Sequence, residues 1–193
     1  MPPVSALALT ATVAAAVWLA IIVVFHFTRP NLDPRLHMIS EYAREPGGWL
    51  MQLAFFSVAL SASSLAAAAW SREGPAGPVL LAVCGFGFVG AGVFVTDPVL
   101  LTERAQTRSG GLHVAFAFLV IALFPVAATV TALGLGGSWR SWPVASAGLT
   151  WIGLLGFVAP ALARPGAPSG LAQRFMVLTN TVWLMATGLS LAR

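Results

Sequence analysis

The chain has 193 residues, of which 58% are hydrophobic and 8% charged, and it carries a formal net charge of +4. Soluble domains hold roughly 25% charged residues, so composition excludes a water-soluble fold: too much apolar surface would face water. The basic balance rests on ten arginines placed singly, with no lysine and no basic run, which excludes a nucleic-acid stripe.

The first element is an apolar stretch from Val4 to Thr28. A secretory signal has a positive lead-in and an apolar core of about 7–15 residues. This stretch lacks the first and exceeds the second, so it is read as a retained first span. Arg29-Pro30 closes it and opens the longest loop, Arg29–Gly48. Long loops in compact proteins are often functional. Within this one, His37–Arg44 is expected to form a short interfacial helix with Ser40 and Glu41 on its polar side.

A spanning helix needs about 20 mostly apolar residues. Five further stretches meet that length, at 49–70, 78–96, 112–135, 144–163 and 172–192, and each is bounded by Pro, Gly or charge. Together with 4–28 they predict an all-α polytopic bundle of six transmembrane helices. It is expected to be a single domain over 1–193, multi-pass in the cell membrane. Ser57, Ser61, Ser64 and Ala68 share one face of the second span. Gly85, Gly87, Gly90, Ala91 and Gly92 crowd the third. Small faces let helices approach closely in lipid, so the two stripes are expected to face inward, toward each other. Pro125 should kink the fourth span, with Thr129 or a neighbour satisfying the freed carbonyl. Gln52 and Asn180 should face the interior as packing contacts. The single cysteine, Cys84, reads as a small buried apolar residue.

Six spans put loops 1–2, 3–4 and 5–6 on one side. That side receives five of the six acids, all three histidines and seven of the ten arginines. A site, if present, belongs there. The candidates for catalysis are Ser40, Glu41, Asp97 and His113. Arg44, Arg108 and Arg174 are candidate partners for an anion or a carboxylate. Asp97 at the end of span three meets the negative end of the helix dipole, so it needs an offset. Two are open: Asp97-Pro98 as the cap of a short helix toward Thr102, or an ion pair with Arg44, Arg108 or Arg174. Counting arginines puts this face in the cytoplasm, but net charge is +2 on both sides.

Several segments together resemble a known family. They are Ile39-Ser40-Glu41 before a Pro-Gly pair and Trp49, Phe94-Val95-Thr96-Asp97-Pro98, Gly111-Leu112-His113, and Gly170-Leu171-Ala172-Gln173-Arg174 with Trp183 beyond. In order and placement they resemble an uncharacterised six-span bacterial membrane family, catalogued as domain of unknown function nine-nine-eight. The resemblance runs over nearly the whole chain. It departs at Val95, where Pro is frequent, and at Gln173, where Glu is frequent. It implies the fold and the polar face, points to that face lying outside the cytoplasm, and implies no reaction.

Four functions are weighed. The leading one is a non-catalytic membrane component or sensor whose charges lock loops together. Close behind is a lipid- or headgroup-handling enzyme in which Glu41, Asp97, His113 and Arg174 converge, with Arg holding phosphate and Asp or His as base. A b-type haem held by His26 and His113 is disfavoured by the shortage of histidines. Transport is disfavoured because no charge lies mid-membrane and no inverted repeat is visible. Accordingly no cofactor and no metal is expected. The expected partners are membrane lipids, with no nucleic acid, and either another membrane protein or further copies of the chain.

Overall fold

The computed structural model describes residues 3–98, 107–136, 141–163 and 169–193. Six α-helices run in chain order: α1 (Val4–Thr28), α2 (Trp49–Glu73), α3 (Ala76–Val93), α4 (Arg108–Gly134), α5 (Ser141–Ala163) and α6 (Gly170–Ala192). All six are long and apolar enough to cross a membrane, and the described residues contain no strand. The helices form a closed ring. Each packs on its neighbours in sequence, α6 returns to α1, and α2, α4 and α6 also touch across the centre. Lipid leaves the chain no partner for exposed backbone groups, and helices satisfy those groups internally.

Two of the helix ends that differ from expectation do so for identifiable reasons. The third helix stops at Val93, and Phe94 is already extended. Asp97 precedes a proline, which disfavours helical backbone there. The fourth helix begins upstream of the Gly110-Gly111 pair expected to precede it. Thr107 caps it by accepting the Gly110 N–H at 3.0 Å.

The small residues face inward but with different partners. Ser61 donates to the Ala11 carbonyl of α1 at 2.7 Å, so the serine stripe meets α1 rather than α3. The α3 glycines divide between two neighbours. Gly85 lies against Ala59 and Ser63 of α2 and Gly92 against Phe55 and Phe56, whereas Gly87 and Gly90 lie against Val120 and Phe116 of α4. A stripe that wraps a helix cannot serve one partner only. At the α1–α6 seam Gly188 sits against Ala8 and Thr12. The α4 helix continues through Pro125 to Gly134. Thr129 donates to the Pro125 carbonyl at 2.8 Å, not to the carbonyl freed by the missing proline N–H, and accepts the Trp151 indole N–H of α5 at 2.9 Å. Gln52 bridges to α3 by donating to the Gly92 carbonyl at 3.0 Å.

Candidate functional site

The loop expected to lie at the interface instead folds into the mouth of the ring. Ile39–Arg44 forms a 3₁₀ turn in which Ile39, Ser40, Glu41 and Tyr42 are all buried. Tyr42 is the chain's single tyrosine, and its ring stacks on Phe25 of α1 at 5.1 Å. Gly47, with φ of 79°, then turns the chain into α2, a backbone conformation open to glycine.

Arg174 of α6 fixes this cap. Its guanidinium donates to the carbonyls of Pro34 at 3.0 Å, His37 at 2.7 Å and Gly170 at 3.1 Å, and to the Tyr42 hydroxyl at 3.0 Å. The group also lies over the Tyr42 ring, 5.6 Å from its centroid. One residue earlier, Gln173 accepts the Ile39 N–H through Oε1 at 2.8 Å. Here Gln173 makes the acceptor contact that a glutamate would make. The Gly170 N–H donates to the Arg35 carbonyl at 3.2 Å, and no side chain would fit at Gly170 against Pro34 and His37.

Other charges on this face also hold loops. Glu41 accepts the Met38 N–H at 2.8 Å and meets His37 Nδ1 at 3.3 Å, the return half of a capping box. Arg29 donates to the Pro46 carbonyl and, at 3.1 Å, to that of Thr28. Arg44 donates to the Thr96 carbonyl at 3.1 Å. Asp97 accepts both the N–H of Thr107 at 2.8 Å and its hydroxyl at 2.9 Å. Among the described residues no arginine stands within ion-pair distance of Asp97, contrary to the ion-pair alternative. The other alternative, a short helix toward Thr102, falls on residues 99–106, as do Glu103 and Arg104, outside the described residues; so does Arg164. Arg108 is exposed at the first residue of α4.

Beneath the cap lies a cavity of about 70 Å³ reached by α1, α2, α3, α4 and α6. Trp18, Phe55 and Phe88 form its apolar wall, and Ser40, His113, Gln173 and Asn180 supply the polar groups. No charged side chain lines it among the described residues. His113 is only 5% exposed. Its Nδ1 lies 2.9 Å from the carbonyls of both Ala91 and Phe94. Two acceptors there require Nδ1 to carry the proton, so in the neutral ring Nε2 is an acceptor. Asn180 Oδ1 is buried with no hydrogen-bond partner.

Ser40 and His113 are therefore brought together on one cavity. Asp97, Arg44 and Arg174 are engaged elsewhere on the same face. His26 is exposed, edge-on to Phe27, while His113 is buried inside the ring, so the two do not form an axial pair. Gln173 and Asn180 were not among the sequence candidates as site residues. Their signal was a spacing of seven on α6, which puts both on one helix face. Tyr42 and Trp18 carried no such signal.

No curated protein and no solved structure matches the chain. The sequence profile of the family described as Protein of unknown function (DUF998) matches residues 12–190, in agreement with the resemblance seen in the sequence, and the chain belongs to that family.

Proposed function

We propose that this integral membrane protein is a non-catalytic component or sensor of the cell membrane that binds a bilayer-derived ligand in the cavity under its cap. One observation carries the reading. Arg44, Asp97 and Arg174 are engaged in fastening loops to helix ends, while among the described residues no charged side chain lines the chamber beneath. Catalysis on a phosphate headgroup needs charge aimed at the reacting atoms, and here those groups point into backbone.

A lipid-handling enzyme is the second reading, because Ser40 and His113 line the same cavity. A hydroxyl and an imidazole acceptor on one cavity are the two groups a nucleophile–base arrangement needs. Incubating purified protein in bilayers of mixed phospholipids and glycerolipids separates the two. The sensor reading expects retained lipid by native mass spectrometry and an unchanged lipid composition. Product that accumulates with the natural chain and disappears in both Ser40→Ala and His113→Gln would replace it with the enzyme reading. Membrane lipids are the partners under both readings. The lipid-facing side of α5, where Trp142, Ile152, Leu155 and Leu162 are exposed, would be the contact for a membrane-protein partner or a second copy.

A further inference from the structure

We infer that the cavity is a site for the hydroxyl group of a neutral, bilayer-dissolved amphiphile, which enters between α4 and α6 and leaves its hydrocarbon tail in the bilayer. The inference rests on the ligand-binding reading above and adds the ligand's chemistry and route.

Hydrogen-bonding capacity fixes the class. His113 is nine-tenths buried, and its Nε2 takes no hydrogen bond among the described residues. Asn180 Oδ1 is a second buried acceptor without a partner. Gln173 uses its Oε1 on Ile39, which leaves its amide N–H groups as donors beside them. A buried acceptor left unpaired is costly, so the site favours a guest that donates. It also offers donors, so the guest should accept as well. A hydroxyl does both with one atom, donating its single proton to His113 Nε2 and accepting from the amide N–H groups of Gln173 or Asn180. A carboxylate or an ammonium would meet no countercharge among the described lining residues, and burying an unpaired ion is costly.

Size and exposure set the route. The volume of about 70 Å³, where a single water needs about 10–15 Å³, holds a hydroxyl and the first few carbons. A longer chain must leave the cavity. Trp18, Phe55, Val58 and Ala91 of α1–α3 and Ile39 of the cap are buried, with Phe88 of α3 half-buried among them. On the other side Ala117 and Ile121 of α4 and Val177 and Asn180 of α6 are only half-buried. No residue of α5 lines the cavity. That helix meets α4 at Trp151–Thr129, beyond the lining residues Ala117 and Ile121, and from there follows α6, with Gly153 against Met176 and Thr179 and Gly156 near Phe175. The opening therefore faces the hydrocarbon between α4 and α6.

The test uses the full chain in nanodiscs with ¹⁵N-labelled histidine, since only three histidines are present. Dodecanol, dodecane, dodecanoate and a dioctanoylglycerol are titrated separately. Dodecanol should shift the His113 Nε2 resonance saturably and bind at least tenfold tighter than dodecane or dodecanoate. The dioctanoylglycerol arm distinguishes a glyceride hydroxyl from a simple long-chain alcohol; the tighter binder names the source. Asn180→Leu removes the amide N–H that donates to the hydroxyl oxygen, together with an acceptor that has no protein partner, so it should fold normally and weaken dodecanol by about three- to tenfold. Ile121→Trp at the half-buried opening should abolish the shift. Equal binding of dodecane, equal binding of dodecanoate, or an Nε2 resonance unmoved by either hydroxyl compound would overturn the ligand class. Unchanged dodecanol binding in Ile121→Trp would overturn the route. Neither result bears on lipid turnover, so the non-catalytic reading fails or stands separately.

Discussion

Asp97 and Thr107 are joined by two hydrogen bonds, from the threonine N–H at 2.8 Å and its hydroxyl at 2.9 Å. Thr107 is the N-cap of α4. The carboxylate that follows the end of α3 thus sits at the positive end of the next helix dipole, which offsets the unfavourable end it leaves behind. Gly110 has no side chain because that carboxylate occupies the space. Asp97→Ala should therefore cost about 1–2 kcal/mol of stability. Denaturant unfolding in detergent, combined with Thr107→Val in a double-mutant cycle, should return a coupling above about 0.5 kcal/mol. Strict additivity would mean that the pair does not act as a unit.

Arg174 holds the cap by carbonyl contacts, so its replacement should open the mouth of the bundle. In Arg174→Met the Pro34 and His37 carbonyls lose their shared donor, and we expect a loss of about 3 kcal/mol. Arg174→Lys should recover only part of it, because one ammonium cannot reproduce the planar fork. A cysteine introduced at Ile39, in a Cys84→Ala background, reads the opening directly. It should resist a water-soluble maleimide in the natural cap and react in Arg174→Met.

Gln173 tests what the cap needs from α6. Gln173→Leu leaves the Ile39 N–H without its acceptor and should lower stability by about 1–3 kcal/mol. Gln173→Glu keeps an acceptor oxygen and should preserve hydrogen-exchange protection at Ile39. Equal protection in the leucine and glutamate variants would show that this bond does not hold the cap.

The α1–α6 seam closes the ring through Gly188. A Cβ there would meet the Ala8 carbonyl at 2.9 Å and crowd the Thr12 hydroxyl. Gly188→Leu should destabilise by about 1–3 kcal/mol through overpacking. Gly136, with open space around it, is the control and should tolerate alanine with little change in thermal unfolding.

Composition and apolar run length by themselves determined the six-helix membrane fold, since a run of that length has one stable answer in lipid. Loop parity likewise gathers Ser40, Asp97, His113 and Arg174 on one face. Side-chain partners were a different matter. Periodicity marks a face but does not say which neighbour it meets, so the serine stripe that could have met α3 meets α1. Charge in a loop does not reveal whether a carboxylate finds an arginine or a helix N-terminus, and Asp97 found Thr107. Only tertiary packing turned Ile39–Arg44 inward as a cap, because burying Ile39 and Tyr42 required Gln173 and Arg174, over a hundred positions away, to satisfy the backbone and hydroxyl groups that go in with them.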